Sequence, residues 1–380
     1  MKIFHINCNY LSTTLHQCLI EHLEPLGVEN RIFAPIYPGF AQKIRPNDNV
    51  QVSECFQKRD RFLFFVKQEK ILRAAKSVFS EARFDCIHAH TLFTDGVCAR
   101  RLSRESGTPY VVAVRNTDVN LFLQKRVLLR PLGLKVLRDA AKVVFLSDPY
   151  RRKVLDTYVP EKYRGEIEAK SVVIPNGIDD FWLSNSYAEK NPPAALEPPL
   201  QLLFAGRVLP DKNLRGVVSA VQLLRAKGYA ADFTVIGPHP DRSLYEELKQ
   251  YDFVTLKEPM EKEKLIDAYR SADIFVMPSF HETFGLVYAE AMSQGLPVIY
   301  SKGEGFDGQF PDGEVGFAVD PGDPRKIADA IKLTAGMYGT ISAACPEKVK
   351  KFNWNQIADN YHSFYEEICY EISTDNRAST

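Results

Sequence analysis

Residues 281–298 read HETFGLVYAEAMSQGLPV, with Glu282 and Glu290 on either side of an apolar run. Leu286 to Ser293 is rich in helix formers, and Gly295 followed by Pro297 is a helix stop. With Thr283 as N-cap, Glu282 lies in the preceding loop and Glu290 inside the helix. Glu290 then shares a face with Leu286 and Val287, at helical spacings of four and three. That face is expected to be buried, so the carboxylate needs a partner: a structural cation or a ligand. Upstream, FAGRVLPDKN sets Arg207 and Lys212 five residues apart. An arginine fork and a lysine point charge on one loop suit a diphosphate. Taken alone, the same two residues are more often a solvated pair.

These residues need elements to hold them. KIFHI, FDCIHAH, YVVAVR, AKVVFLS and SVVIPN are short apolar runs separated by helix-length stretches, and LQLLFAG, DFTVIG, DFVTLKE, ADIFVMPS and LPVIYS repeat the rhythm. Such runs alternating with helices predict parallel strands covered on both faces. The fold class is therefore α/β, two Rossmann-like doubly wound domains facing across a cleft. The expected division is 1–185 for the first domain, 186–199 (SYAEKNPPAALEPP) for a linker and 200–353 for the second. A final helix, 354–374, is expected to pack back across the hinge.

ADIFVMPS reads as a strand, which puts His281–Phe284 at its carboxyl end and aims the next helix's N-terminus at the site. Free backbone N–H groups and the helix dipole attract an anion there, and Gly285 lets a phosphate come close. Arg207 and Lys212 fall just past the end of another strand. Together, Arg207, Lys212, Glu282 and the run Thr283, Phe284, Gly285 and Leu286 describe a site for a nucleoside diphosphate. Glu282 is placed to bind hydroxyls of the attached group, and Glu290, one turn deeper, ribose hydroxyls. A sugar nucleotide fits this description.

Bulk composition bounds the reading. A chain of 380 residues exceeds one ordinary core, and its 45% apolar content is globular. No apolar run approaches a membrane span, and MKIFHINCNY is a buried strand rather than a signal peptide. The 7 cysteines are scattered without CxxC spacing, a reduced, cytoplasmic pattern that excludes a disulfide framework and a zinc site. The formal charge of zero hides a split, 28 Lys+Arg against 20 Asp+Glu through residue 185 and 20 against 28 thereafter. The first half is thus expected to meet an anionic partner.

The ordered set Glu282-x7-Glu290 enclosing FG, Arg207 with Lys212, IPNGID at 174–179 and GEVGFAVDPGDPRKIADAI resembles the C-terminal lobe of the family-4 (group 1) retaining glycosyltransferases of the GT-B fold. DCIHAHT and NTD are similar to segments of that family's first lobe, so the resemblance spans nearly the whole chain. It implies transfer of a sugar from a nucleotide-diphosphate sugar, with retention and without a metal or other cofactor. The departing diphosphate would help deprotonate the acceptor, with Glu282, Arg207 and Lys212 as the catalytic set. The acceptor implied is a glycan or a lipid-linked molecule, in surface polysaccharide or glycolipid synthesis, and no nucleic acid is involved.

Two departures from the family text fall on the first half. Where members commonly carry a histidine after the strand VVAV, this chain has Arg115, Asn116, Thr117 and Asp118. Where paired glycines often follow the first strand, it has NCNYLSTTLH. The acceptor-side candidates are His88, His90, Arg115, Asn116 and Asp118. The two histidines serve equally well as core or capping groups, and Arg115 could do no more than pair with Asp118. The basic, Phe-rich stretch 57–76 and a second basic stretch at 124–142 read either as lobe helices or as segments lying on an anionic membrane surface, the inner face of the cytoplasmic membrane. Rival classes are a sugar-nucleotide epimerase of the same fold and a non-enzymatic two-lobed sugar-nucleotide-binding protein. A dinucleotide dehydrogenase would want GxGxxG after the first strand, where NCNYLS stands.

Overall fold

The computed structural model describes residues 1–187 and 192–378, with side chains through residue 370. The chain forms two units: Met1–Gly177 completed by the segment from Trp354, and Ile178–Asn353.

The first unit is built on a sheet of seven parallel strands: β1 (Lys2–Ile6), β2 (Glu29–Ile36), β3 (Val50–Glu54), β4 (Cys86–Ala89), β5 (Tyr110–Ala113), β6 (Lys142–Phe145) and β7 (Ser171–Val173), in the order β3-β2-β1-β4-β5-β6-β7. Period-two alternation sends Phe4, Ile6 and Phe33 to one face, under helices that include Phe64–Phe79 and Thr94–Ser106. Ile3 and Ile32 go to the other face, under the helices Leu15–Leu23 and Trp354–Ala378. In the last helix Trp354, Ile357, Tyr361, Phe364, Tyr365 and Ile368 form one buried stripe, so this element is part of the first unit's core. Each such side chain stabilises the unit by about 1.5–3 kcal/mol through burial.

The second unit has six parallel strands: β8 (Leu200–Ala205), β9 (Ala231–Ile236), β10 (Val254–Lys257), β11 (Ile274–Val276), β12 (Val298–Ser301) and β13 (Gly316–Val319), in the order β10-β9-β8-β11-β12-β13. From β8 the chain first adds β9 and β10 on one side, then returns to place β11 on the other. The loops leaving β8 and β11 therefore diverge at a topological switch point, where open α/β sheets bind ligands.

The backbone corrects the boundaries expected from sequence. The first unit ends at Gly177, not at residue 185. The helix Asp180–Ser184 belongs to the second unit, where buried Trp182 packs edge-on against Tyr269, their rings 5.6 Å apart. The 186–199 segment is not the junction either. Its residues 188–191 lie outside the described residues, but the flanks are tied to the second unit. Tyr187 N–H donates to the Ser293 carbonyl (2.9 Å) and Leu196 N–H to that of Ala335 (2.9 Å). Three strands escaped the sequence reading. In β2, Arg31 and Pro35 interrupt the apolar run, while β3 is a half-exposed edge strand, VQVSE. The third, β13, lies in the segment GEVGFAVDPGD, which the sequence marks only as part of a motif.

Candidate active site

The loops leaving β8 and β11 are stitched together in the second unit. After β8 the chain makes a tight turn over Pro210–Lys212, and Asn213 takes a left-handed conformation, φ 58°. Asn213 Nδ2 donates to the carbonyls of Pro278 (3.0 Å) and Pro321 (2.7 Å), and Phe280 N–H donates to the Asp211 carbonyl (2.8 Å). This brings Lys212 Nζ to 2.7 Å from Glu282 Oε2, with only 13% and 17% of the two side chains exposed. In a largely desolvated ion pair neither charge can lose its partner without leaving an uncompensated buried charge, so each holds the other in place. Arg207 sits on the same loop, exposed, and makes no hydrogen bond or ion pair among the described residues. One cation is thus neutralised by the carboxylate it positions, and the other is presented to solvent.

Glu282 is fixed by its backbone as well. Its N–H donates to Glu304 Oε2 (2.7 Å), and its carbonyl accepts from Gly305 N–H (2.8 Å). Its own Oε1 accepts from Thr283 N–H (3.1 Å). Gly305 is required by this close approach: a Cβ there would lie 1.6 Å from the Thr283 carbonyl oxygen. Glu304, though mostly buried, escaped the sequence reading. It has no motif of its own, and its role follows from β12 ending beside β11.

The helix after this loop is Leu286–Ser293, and its N-cap is Gly285 at φ 74°, not Thr283. The reason is steric, since a Cβ at Gly285 would meet the Tyr288 ring at 2.4 Å. Tyr288 is anchored in turn by a hydrogen bond from its hydroxyl to the Met277 carbonyl. Phe284 is turned into an aromatic cluster with Phe306 and Phe352, so its side chain is structural. The Glu290 face is covered only in part, though the Glu290 carboxyl itself is desolvated. Tyr288, Ala289, Ala291 and Met292 make the buried face, while Leu286, Val287 and Glu290 stand half-buried. Glu290 Oε2 accepts from the Tyr269 hydroxyl (3.3 Å). Desolvation pushes its carboxyl up to about 7, partly offset by that hydrogen bond. Among the described residues no structural cation pairs with Glu290 directly; the nearby Lys262 is engaged by Asp179 at 2.9 Å.

The acceptor-side candidates divide differently. His88 and His90 are fully enclosed in the first unit, beneath the helix Trp354–Ala378. His88 Nδ1 bonds the Tyr365 hydroxyl (2.5 Å), and His90 Nε2 meets His5 Nδ1 (3.1 Å). Burial drives the pKa of both well below the usual histidine value, so both are neutral. With His5 they form the one group of three metal-capable side chains among the described residues, ligand atoms within 4.8 Å of one another. Asp118 is buried and organises a loop, accepting from the N–H groups of Leu92 (2.9 Å), Phe93 (3.1 Å) and Arg115 (2.9 Å). Its partner in residue 115 is thus the backbone, not the guanidinium. Arg115 instead donates to the His90 carbonyl (3.3 Å) and to Asn176 Oδ1 (3.1 Å), inside the IPNGID motif. Asn116 accepts from Asn120 Nδ2 (2.8 Å). Arg115 and Asn116 alone of the five stay half-exposed. Sequence reasoning also missed Asp95, which is buried and accepts from Cys8 N–H (3.1 Å) and the Thr91 hydroxyl (3.0 Å) across the loops leaving β1 and β4.

A doubly wound sheet whose switch point presents a cation, a held carboxylate and a helix start is a nucleotide-binding α/β unit. The family model described as "Glycosyltransferase Family 4" matches residues 16–180, and that described as "Glycosyl transferases group 1" matches residues 187–335. The chain belongs to the family-4, group 1 glycosyltransferases of the GT-B fold, enzymes that use a nucleotide-sugar donor. Curated relatives include D-inositol 3-phosphate glycosyltransferases. That of Arthrobacter sp. is 29% identical over 74% of this chain and 71% of its own length. That of Corynebacterium glutamicum is 30% identical over 56% and 55%. Among solved structures, the sucrose-phosphate synthase of Thermosynechococcus elongatus superposes with a TM-score of 0.76 at 20% identity, covering 97% of this chain and 99% of that one. An Anabaena HepE structure in complex with UDP and glucose does so at 0.67 and 17%, covering 97% and 100%. No described helix is long and apolar enough to cross a membrane.

Proposed function

We propose that the protein transfers a sugar from a nucleoside-diphosphate sugar to an anionic glycan or lipid-linked acceptor, with retention, without a metal ion, and in the cytoplasm. The observation that carries this reading is the Lys212–Glu282 pair, with Arg207 exposed on the same loop and without a partner among the described residues, at the carboxyl ends of β8 and β11. As the glycosidic bond breaks, positive charge develops on the sugar ring and negative charge on the departing diphosphate. Arg207, Lys212 and the start of the helix at Gly285–Leu286 stabilise the second charge, which is the work a divalent cation does elsewhere. Glu282, held by Glu304, Thr283 and Gly305, accepts from sugar hydroxyls. Glu290 accepts from ribose hydroxyls. Arg115 and Asn116 face the acceptor, whose negative charge suits the basic first half. Relatives named for inositol 3-phosphate favour a second reading of the acceptor alone, as a small phosphorylated polyol.

The test is a panel of nucleotide sugars, read by release of free nucleotide with glycan, lipid-linked and phosphorylated polyol acceptors. Release with one donor, insensitive to EDTA, is expected. Arg207→Ala should lower turnover by about 10²–10³-fold, in line with loss of one charge-stabilising donor, with the melting temperature unchanged. Near-native turnover in that variant, an epimer without nucleotide release, or activity lost in EDTA and restored by Mg²⁺ would each overturn the corresponding part.

A further inference from the structure

The first unit displays large apolar side chains to solvent in two neighbouring segments. Phe62 is 85% exposed, Leu63 57% and Phe65 66%, at the start of the helix Phe64–Phe79. Val127 is 54% exposed and Leu128 95%, in the turn Val127–Leu129. The segments are adjacent, because Phe64 packs against Phe122 with ring centroids 5.9 Å apart. Isolated exposed apolar residues need no explanation, but a group of protruding phenylalanines and leucines marks an interaction surface. Its charge is one-sided. Lys58, Arg59, Arg61 and Lys125 are exposed around it. The acids in residues 57–69 and 119–130 are Asp60, buried and paired with Lys70 at 2.5 Å, and Glu69, paired with Arg101.

We infer that this surface docks the protein on an anionic lipid bilayer, with Phe62, Phe65 and Leu128 inserted below the headgroups and the four cations among them. A bilayer of acidic lipids offers apolar depth directly beneath a layer of negative charge, the complement of apolar knobs ringed by cations. A second copy of the chain would set like charge against like. The surface extends the proposed transfer reaction by bringing the enzyme to lipid-linked acceptors, and it is tested without that reaction.

Full-length protein, with no nucleotide sugar present, is sedimented with vesicles of phosphatidylcholine alone or mixed with phosphatidylglycerol. Binding to the mixed vesicles only, weakened by salt, is expected. The double variant Phe62→Ser/Leu128→Ser should reduce that partitioning at least about tenfold, because each loses a buried apolar side chain. In Phe62→Trp, the new fluorescence should shift to the blue and be quenched by brominated lipids. No binding to either vesicle, binding unaffected by the double variant, or a self-association in centrifugation that the double variant abolishes would overturn the inference. A docking failure leaves the transfer reading intact, and a failed donor panel leaves vesicle binding unexplained by transfer but unaffected.

Discussion

Glu290 is a carboxyl whose environment opposes its own charge. Burial raises it to about 7, so at neutral pH the ligand-free protein holds it as a mixture of acid and carboxylate. Ribose hydroxyls donate best to the carboxylate, and donor binding therefore favours the ionised form. The sign follows from the raised value: affinity is full above about pH 7 and is lost as pH falls through it. Donor affinity measured by calorimetry should be flat at alkaline pH and weaken up to about tenfold per pH unit below about 7. Glu290→Gln should bind more weakly at neutral and alkaline pH and lose the pH dependence; a variant that keeps the wild-type profile refutes the role. Glu282, Arg207 and Lys212 were legible in sequence because charged groups just past apolar strands have few structural uses. Glu304 and Asp95 were not, because their roles depend on which strand ends lie side by side.

At the scale of elements, continuous Val, Ile and Phe runs announced ten of the strands, since a strand covered on both faces has no polar alternation to disguise it. A polar edge strand and a run broken by arginine and proline carried no such mark. The helix Leu286–Ser293 was legible, but its start was not. Side-chain capping suggested Thr283, whereas the backbone turns at Gly285. The loop that holds Glu282 relies on a second glycine, Gly305, which lets one loop lie directly on another. Gly305→Ala should displace Glu282 from Lys212, raising the donor KM and lowering stability by about 1–3 kcal/mol, as overpacking does. Thermal melting together with donor kinetics checks this; an alanine variant with unchanged melting and unchanged KM would show that the loop is not pinned there.

At the scale of the molecule, the first unit combines two opposed sets of buried titrating groups. His5 is lowered to about 4 and His16 to about 3, and burial also holds His88 and His90 well below the ordinary histidine value. Unfolded histidines take up protons from about pH 6.5. This stability is therefore complete above that value and is lost as pH falls toward the folded values. Asp95, raised to about 7, and Asp118, raised to about 6, act the other way, contributing most at low pH and losing it as pH rises through their folded values. Four histidines outweigh two aspartates between pH 4 and 6.5. Calorimetry should show a melting temperature that falls on acidification across this window, and less steeply in His90→Gln. A melting temperature that rises on acidification would refute the balance.

The segment from Trp354 that completes the first unit also orders events during synthesis. The sheet face bearing Ile3, Ile32, Val111 and Val144 has its cover in Trp354, Ile357, Tyr361 and Tyr365, residues made only after the second unit. While the ribosome is still translating, the opening half of the chain has its strands but lacks part of its lining. The second unit, Ile178–Asn353, has all its residues in hand before that lining emerges. The unit made first is thus the last to close, and until then it is the part of the nascent chain most in need of a chaperone.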